Sequence, residues 1–456
     1  MTSSARRFDT VLIATGGEVA ARIIRACRSL GLKAAVAHST ADRGASYVAD
    51  ADHAICIGPA APLQSYLNGD ALVLAARLTG AGAVHPGYGF LSENAGFARA
   101  VEAAGLVFVG PPVSAIETMG DKVAAKLAMK AAGIPCVPGS DGALPEDPAA
   151  IAAIADTVGY PLLIKAAGGG GGRGMRIVRQ AADLADAAVT TREEAGRYFG
   201  NREIYLEKYL EAPRHIEIQV LCDAHGNAVH LGERDCSMQR RHQKLIEEAP
   251  APGIERARID ELGALCVAAC KRIGYVGVGT FEFLYEDGRF FFIEMNTRLQ
   301  VEHPVTELVT GIDLVAWQLR IALGERLDLT QSDIVVRGHA IECRINAEDP
   351  ADFTPRPGTV SRVRPPAGEG IRVDTHLRDG SVVPPHYDSL VAKLIAWGDT
   401  RDAALDRLRT ALDQFLVEGI ATNMPLHALL LADAGFTAGG ANIHYLEHWL
   451  AERRGA

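Results

Sequence analysis

The feature that most constrains this chain is residues 279–303, where carboxylates stand inside an apolar strand pattern. Two runs of β-branched and aromatic residues flank an Asp-Gly dipeptide at 287–288, which is typical of a β-hairpin. Glu282 lies between two phenylalanines in the first run, and Glu294 and Asn296 share one strand face in the second. Burying a carboxylate there is costly unless a cation compensates it. Because such oxygen ligands suit Mg²⁺ or Mn²⁺, we predict a metal site formed by these three residues.

This metal hypothesis makes a geometric demand on the hairpin. With a two-residue loop and regular pairing, Glu282 would face away from Glu294, because a one-residue slip turns every side chain over. The hypothesis therefore requires a three-residue loop or a bulge. The alternative is an edge hairpin with one wet face, whose polar residues are only solvated. A dense polar cluster directly after the second strand favours a site over that alternative. It consists of Arg298, Gln300, Glu302 and His303.

Length and composition bound the class of protein. A chain of 456 residues is long enough for two to four domains. The net charge of −10 argues against a nucleic-acid partner, which would require a basic face. No apolar run reaches membrane-spanning length, and the apolar run near the N-terminus is too short for a signal peptide. The eight cysteines form no zinc pattern, so we expect reduced thiols and a cytoplasmic location, with no membrane partner.

The first 110 residues alternate short apolar runs with helical patterns. Strands are predicted at 10–14, 34–38, 54–57, 83–85 and 107–109, and helices at 19–30, 72–78 and 95–104. This alternation predicts a doubly wound parallel sheet, whose ligands bind at the carboxyl ends of the strands. The first turn, 15–18, lacks the G-x-G-x-x-G pattern, so dinucleotide binding is unsupported.

A glycine-rich segment follows a second predicted strand. Residues 160–165 read as a strand ending in Lys165, five glycines follow at 168–172, and another strand is expected at 175–178. Such a segment suits a flap whose bare N–H groups cover phosphates. Neither the Rossmann context nor a Walker P-loop is present.

Several later segments combine strand patterns with charged residues. Residues 213–220 alternate polar and apolar side chains, which indicates a half-buried strand carrying His215. Residues 207–210 follow a strand and suit a hinge between domains. The basic run at 233–244 is either a solvated loop or an anion site. In the predicted strand 337–346, Glu342 and Arg344 share one face.

Taken together, these segments closely resemble biotin carboxylase, a member of the ATP-grasp superfamily. The matching stretches are residues 85–94, 119–122, 165–175, 233–244, 293–304 and 342–348. The resemblance covers nearly the whole chain. It implies an α/β and α+β protein with a Rossmann-like N-terminal domain at 1–120, an ATP-grasp domain at 121–330 and a C-terminal α+β domain at 331–456. A mobile glycine-rich lid is expected at about 137–208 of the ATP-grasp domain.

The resemblance also assigns roles to individual residues. The implied metal ligands are Glu282, Glu294 and Asn296, the set that the strand pattern already predicts. The implied catalytic set is Lys244, Arg298, Glu302 and Arg344, with Glu302 as the base and Arg344 steadying the enolate-like oxygen of biotin. The implied nucleotide contacts are Lys122, Lys165, Gly171, Gly172, Glu207, Lys208, Tyr209, Leu210, His215, Gln239, His242 and Leu284. The implied bicarbonate and biotin contacts are Lys244, Arg298, Gln300, Val301, Glu302, Arg344 and Tyr88.

The activity implied is ATP-dependent carboxylation of biotin by bicarbonate through carboxyphosphate, with Mg²⁺ or Mn²⁺. Because the chain has no Met-Lys-Met biotinylation segment, the expected partners are a separate biotin carboxyl carrier protein, carboxyltransferase subunits and a second copy of this chain. Two alternatives stay open: another ATP-grasp ligase acting on a different carboxylate, and an inactive nucleotide-binding scaffold. The final acceptor of the carboxyl group belongs to a partner, so the sequence leaves it open.

Two departures from the family pattern stand out. Members usually read Ala-Asn-Arg-Gly-Glu-Ile-Ala near the N-terminus, whereas residues 14–20 read Ala-Thr-Gly-Gly-Glu-Val-Ala. The family's bacterial homodimer uses an Arg–Glu pair in the first helix; Arg25 is kept here, but the acidic position is Ser29. Glu369 replaces a nearby aromatic residue. We therefore expect a dimer with a weaker or differently built interface.

Overall fold

The N-terminal unit is a doubly wound sheet of five parallel strands. In this computed structural model, residues 7–168 and 174–455 are described. The strands of the unit are β1 (Thr10–Ile13), β2 (Lys33–Ser39), β3 (His53–Gly58), β4 (Ala83–His85) and β5 (Val107–Phe108). Its helices are α1 (Gly17–Ser29), α2 (Ser46–Asp50), α3 (Gly69–Leu78), α4 (Ala95–Ala103) and α5 (Val113–Gly120). The strand order is β3-β2-β1-β4-β5, with every pairing parallel, as the sequence predicts.

A second, smaller unit carries the segment before and after the glycine run. It contains the helices α6 (Lys122–Ala131), α7 (Pro148–Val158) and α8 (Leu184–Phe199) and the strands β6 (Leu162–Ala166), β7 (Met175–Val178) and β8 (Ile204–Lys208). The three strands form an antiparallel sheet in the order β7-β6-β8, and α7 and α8 pack on it around their own apolar core. Gly171 and Gly172 lie outside the described residues.

The centre of the molecule is an eight-stranded antiparallel sheet. Its elements up to residue 322 are β9 (Arg214–Cys222), β10 (Ala228–Arg240), β11 (Gln243–Ala249), α9 (Arg256–Ile273), β12 (Gly277–Glu286), β13 (Arg289–Asn296), α10 (His303–Thr310) and α11 (Leu314–Ala322). The strand elements that follow are β14 (His339–Asn346), β15 (Gly358–Thr359), β16 (Arg362–Arg364), β17 (Ile371–Thr375), β18 (Val382–Val383), β19 (Leu390–Gly398) and β20 (Leu416–Glu418). The last helices are α12 (Arg401–Gln414), α13 (Met424–Leu431), α14 (Ala434–Thr437) and α15 (Tyr445–Gly455).

The order of the central sheet is β13-β12-β9-β10-β11-β14-β19-β17. Strands β14, β19 and β17 come from beyond residue 330, so the sheet runs continuously across the boundary that we expect between the second and third domains. Helix α10 lies over β14, β11 and β19, where Val305 and Val309 pack against Ala249, Ala340 and Ile395. Side chains from both expected domains therefore meet on one sheet face.

Three local predictions need correction. Strand β9 is buried on both faces rather than half-buried, because β10 and β12 flank it and its polar residues His215 and Glu217 face other polar groups. Glu207 and Lys208 lie within β8 instead of following a strand. The basic run at 233–244 is not a solvated loop, since it forms most of β10, a tight turn and the start of β11. Among the described residues, no helix is long and apolar enough to cross a bilayer.

Candidate active site

One cavity collects nearly all the residues that the sequence singles out. It has a volume of about 700 Å³ and lies between the small β6–β8 sheet and the central sheet. Its lining includes Lys122, Lys165, Glu207, Lys208, Tyr209, Leu210, His215, Gln239, His242, Lys244, Glu282, Leu284, Glu294, Asn296, Arg298, Gln300, Val301, Glu302 and Arg344. These residues come from eight strands, from α6, from the segments after β8 and β13 and from the β10–β11 turn, so only the tertiary fold brings them together.

Tyr88 does not line this cavity. It lines a neighbouring cavity of about 420 Å³, where it lies with residues of the β1–α1 turn. The two cavities share five lining residues, Arg298, Val301, Arg344, Asp388 and Leu390, so these residues form the wall between them. A ligand in the second cavity therefore has access to the same guanidinium groups as a ligand in the first.

The β12–β13 hairpin resolves its geometric problem with a bulge. Glu286 pairs with Arg289 across a two-residue turn at 287–288, whose residues both have positive φ (48° and 74°). The pairing then shifts at Ile293, and beyond that bulge Glu282 lies directly opposite Glu294. A bulge places two residues against one and so restores the shared face. The sequence requirement for a loop insertion or a bulge is confirmed, and the bulge is the form found.

The three predicted metal ligands differ in what already surrounds them. One oxygen of Glu282 accepts hydrogen bonds from Lys244 (2.9 Å), from the Asn296 amide (2.7 Å) and from the Gln300 amide (2.7 Å). By contrast, Glu294 accepts no hydrogen bond from any residue in the described ranges. Burial and the neighbouring Glu282 raise the pKa of Glu294. A carboxylate with no compensating donor, opposite a second carboxylate, fits a divalent cation bound between them.

Lys244 is the cationic centre of the cavity floor. Its ammonium group donates to Glu282 (2.9 Å), Glu302 (2.7 Å) and Glu217. Burial alone would lower the pKa of Lys244, but these carboxylates raise it well above its ordinary value. The lysine is therefore a fixed positive charge that holds three carboxylates together.

Glu302 lies between two cations. One of its oxygens accepts from Lys244, and the other accepts from the Arg344 guanidinium at 2.9 Å. Burial would raise the pKa of Glu302, but Lys244 and Arg344 lower it below its ordinary value. Glu302 is consequently ionised at neutral pH, the state that a general base requires. Arg344 in turn donates through Nε to Glu247 at 2.5 Å, which fixes the plane of the guanidinium.

Arg298 holds the opposite wall. Its Nε donates to Glu93 at 2.9 Å, and its NH2 group donates to the side-chain amide oxygen of Asn296 at 2.8 Å. Glu93 lies at the end of the polar segment 85–94, so this ion pair joins the N-terminal unit to the cavity. Its bond to Asn296 also ties the anion-binding side of the cavity to the predicted metal side.

The other end of the cavity is apolar and suits a flat ring. Val137, Leu210, Leu284 and Ile293 pack together there around Phe291.

Nearby, Glu207 accepts from Lys165 (2.6 Å) and from Lys126 (3.1 Å). Burial would raise the pKa of Glu207, but the two lysines lower it. Glu207 thus holds the ammonium group of Lys165, which lines the cavity and can face phosphates there.

The turn between β10 and β11 places two more predicted residues. Arg241 and His242 both have positive φ (48° and 64°), which is unusual for residues with side chains. Gln239 lies just before this turn, next to a bulge in β10. Strain of this kind persists where the surrounding structure holds it, often at functional sites.

The sequence patterns do not single out three groups that complete the site. Arg234 is fully buried and binds Glu217, Gln219, Thr280, Thr306 and Gln300, which anchors the floor beneath Lys244. Glu217 and Glu247 orient Lys244 and Arg344. All three lie in strands with polar alternation, and charged residues in a strand that proves to be buried are the available signal.

Comparison with known proteins agrees with this geometry. Family models for the biotin carboxylase N-terminal domain, the carbamoyl-phosphate synthase L chain ATP-binding domain and the biotin carboxylase C-terminal domain match residues 7–116, 121–330 and 342–448. The chain is 61% identical to a biotin carboxylase of Pseudomonas aeruginosa over 440 residues, which is 96% of this chain and 98% of that protein. It is 58% identical to that of Haemophilus influenzae, with the same coverage.

Two solved structures extend the comparison to three dimensions. A biotin carboxylase of Campylobacter jejuni in a β,γ-ATP complex has a TM-score of 0.93 at 45% identity, covering 97% of this chain and 99% of that one. The biotin carboxylase domain dimer of Hydrogenobacter thermophilus 2-oxoglutarate carboxylase, in complex with MgADP, ADP and bicarbonate, has a TM-score of 0.91 at 48% identity, covering 97% of each chain. The chain belongs to the biotin carboxylase family.

Proposed function

We propose that this chain carboxylates biotin on a carrier protein, using ATP and bicarbonate, with carboxyphosphate as the intermediate and ADP and phosphate as products. The observation that carries the proposal is the convergence of Lys244, Glu302 and Arg344 beside the facing carboxylates of Glu282 and Glu294. This arrangement offers a base, two fixed cations and an oxygen-ligand set within one cavity. Relatives that match over their full length carry the same activity in their names.

The nucleotide is proposed to enter with its base against the apolar wall of Leu210, Leu284 and Ile293. Lys165 and Lys122 then face the phosphates, and Glu207 orients Lys165 through a hydrogen bond of 2.6 Å. Glu282, Glu294 and Asn296 would hold Mg²⁺ or Mn²⁺, which supplies positive charge against the phosphate oxygens when bound. The other predicted nucleotide contacts, His215, Gln239 and His242, lie along the same cavity.

Bicarbonate is proposed to bind at Lys244, Arg298 and the Gln300–Val301 segment. Glu302, ionised between two cations, removes the bicarbonate proton, so that an oxygen attacks the γ-phosphorus and ADP leaves. Carboxyphosphate then breaks down to CO₂ and phosphate, and phosphate takes the ureido proton of biotin. Arg344 stabilises the resulting biotin anion, because a rigid guanidinium suits a developing oxyanion. The deprotonated ureido nitrogen attacks the carbon of CO₂, which forms the C–N bond of carboxybiotin. Tyr88 and the second cavity lie on the side of Arg344 from which biotin would approach.

The proposed partners are a biotin carboxyl carrier protein, carboxyltransferase subunits and a second copy of this chain. Arg25, the residue expected at the dimer interface, bonds Asp374 of its own chain at 2.6 Å, and the Ser29 hydroxyl donates to the Ala26 carbonyl. Glu369 is almost fully exposed. These contacts support a dimer weaker than one with an Arg–Glu pair, which sedimentation velocity would measure.

We also infer a cytoplasmic location, since all eight cysteines are free thiols.

The test is ADP release with Mg²⁺ and bicarbonate, with and without free biotin. We expect biotin to raise the rate in the wild type and Glu302→Gln to abolish that increase. The matched control is Glu325→Gln, the same change at a carboxylate that pairs with Arg320 far from the cavity. Turnover that ignores biotin would instead favour another ATP-grasp acceptor. Binding of ATP without turnover, also with a biotinylated carrier protein, would favour the inactive scaffold.

A further inference from the structure

A fully buried lysine lies directly beneath residues 300–302. We call this segment the catalytic loop, because it contains Glu302, the proposed base. Lys393, in β19, is 0% exposed and is among the largest completely buried side chains of the protein. Lysine is almost never buried to this degree unless its charge is compensated. It lines neither of the two cavities described above. Its burial therefore needs an explanation other than contact with a ligand.

The contacts of Lys393 join three parts of the chain. Its ammonium group donates to the main-chain carbonyl of Val301 at 2.9 Å. It lies 3.4 Å from a carboxylate oxygen of Glu18 in α1 and 3.9 Å from one of Asp374 in β17. The two acids compensate the charge, and the hydrogen bond is made to the backbone of the catalytic loop.

The loop is held from the same side at the preceding residue. The His303 ring, also fully buried, makes a hydrogen bond through Nδ1 to the Gln300 carbonyl at 2.7 Å. Two consecutive carbonyls, of Gln300 and Val301, are thus fixed by buried side chains immediately before Glu302. Glu302 is the N-cap residue of α10, so the direction of its side chain follows from the path of these two peptides.

We propose that Lys393 is a positioning residue of the active site: by holding the Val301 carbonyl, it sets the path of the 300–302 segment and so places the Glu302 carboxylate between Lys244 and Arg344. This inference rests on the proposed function of Glu302 as the base. Lys393 does not touch the reactants, and its effect passes through one peptide unit. The bond distances at Glu302 (2.7 Å to Lys244, 2.9 Å to Arg344) are the geometry that it maintains.

The expected effect follows from the sensitivity of such geometry. A displacement of about 1 Å at a reacting group costs on the order of 100-fold in rate. Lys393→Met keeps the aliphatic part of the side chain and removes only the donor and its charge. We therefore expect kcat/KM for bicarbonate to fall about 100-fold. The KM for ATP should change little, because the nucleotide wall around Leu210 and Leu284 lies on other strands.

A second readout does not depend on activity. Hydrogen–deuterium exchange of peptides covering residues 298–303 reports how firmly the loop is held. We expect faster exchange there in Lys393→Met. The matched control is Lys130→Met, the same change at a lysine that pairs with Asp141 and does not line the cavity. This control should keep wild-type kinetics and exchange.

A double variant separates positioning from stability. Removing Lys393 alone leaves Glu18 buried without its cation, so we expect the single variant to be less stable than the wild type. Lys393→Met combined with Glu18→Gln removes both charges, so its thermal midpoint should recover relative to the single variant. The slow bicarbonate kinetics and the fast exchange at 298–303 should persist. Recovery of kinetics and exchange together with stability would overturn the proposal, as would wild-type kinetics in either variant.

The experiment also distinguishes this inference from the proposed function. If wild-type ADP release ignores biotin, the proposed function fails, whereas the exchange measurement still shows whether Lys393 holds the loop. If the wild type depends on biotin but the double variant exchanges and turns over normally, only the positioning role is refuted.

Discussion

Replacement of Lys244 by methionine gives the sharpest test of how the cavity floor is stabilised. Methionine has about the same length and removes the ammonium group that binds Glu217, Glu282 and Glu302. The three carboxylates are almost fully buried, with exposed side-chain fractions of 0%, 7% and 2%. The substitution therefore leaves a cluster of like charges in the interior, with Arg234 and Arg344 still beside it. Burial would lower the pKa of His215, but Glu282 and Glu217 raise it to about 9, so this imidazolium also stays beside the cluster.

The magnitude follows from the distances. At an effective dielectric constant of about 20, a unit charge pair at the observed 2.7–2.9 Å gains about 6 kcal/mol. Desolvation of each buried ion offsets several kcal/mol of that gain, and removing one partner of a buried pair typically costs about 3–5 kcal/mol net. We expect a loss in this range for Lys244→Met, with a fall in the thermal midpoint of roughly 3–5 °C, because the unfolding entropy of a 456-residue chain is about 1 kcal/mol/K.

The loss of stability in Lys244→Met should depend on pH. In the wild type, Lys244 holds the pKa of Glu217 at about 2 and that of Glu282 well below the ordinary value, so their stabilising effect persists down to acidic pH. In the variant these pKa values rise, and protonation relieves the repulsion as the pH falls. The difference in thermal midpoint between variant and wild type should therefore be largest near pH 7.5 and narrow toward pH 5.5.

Differential scanning fluorimetry across this pH range, without nucleotide or metal, makes the measurement. The matched control is Lys130→Met, which breaks an exposed pair with Asp141, where we expect little change in the thermal midpoint at any pH in this range. Equal midpoints for Lys244→Met and wild type at pH 7.5, or a difference that widens as the pH falls, would refute the reasoning.

Two further predictions concern carboxylates on either side of this floor. Glu294→Gln should raise the Mg²⁺ concentration needed for half-maximal activity by about tenfold or more. The same variant without metal should be more stable than the wild type, because the substitution removes a carboxylate whose pKa is raised by burial. A lower thermal midpoint of the metal-free variant would contradict this reasoning. Burial raises the pKa of Glu247 to about 7 from 4.5, so the folded protein keeps a proton there that the unfolded chain releases, and stability should fall as the pH rises through that window. Glu247→Gln should flatten this fall in a series of thermal midpoints between pH 4.5 and 7, and an unchanged slope would exclude the assignment.

The hairpin shows how far the sequence alone constrains the site. Strand periodicity puts Glu294 and Asn296 on one face, and the cost of burying Glu282 among phenylalanines demands that it join them. Since 287–288 form a two-residue turn, only an extra residue in one strand can satisfy both conditions. The structure supplies it at Ile293. Local chemistry was therefore sufficient to predict a three-residue loop or a bulge. It did not decide between them, nor did it give the position of the bulge in β13, the strand that pairs with β12 and packs against α6.

The supporting residues could not be predicted in the same way. Glu247 contacts Arg344 across 97 positions of sequence, and Lys393 contacts Val301 across 92. The sequence around Glu247 or Lys393 does not indicate which residue it contacts, because each contact depends on the order of strands in the central sheet. Burial of β9 was also missed for this reason: alternation of polar and apolar residues normally means one solvated face, but here the polar face is the floor of the site.

The departure in the first turn has a physical counterpart in the fold. At Gly16, where family members usually carry an arginine, an added Cβ would lie 2.7 Å from the Tyr47 hydroxyl and 3.1 Å from that of Tyr66. Tyr66 donates to Asp42 at 2.5 Å, and burial raises the pKa of that carboxyl group. In this chain, the Tyr66 hydroxyl thus binds a buried acid beside the turn, and any side chain at position 16 requires Tyr47 to move. Because this turn lines the cavity that contains Tyr88 and Arg344, the Thr-Gly sequence changes the wall of the proposed biotin side while leaving the residues around Glu302 intact.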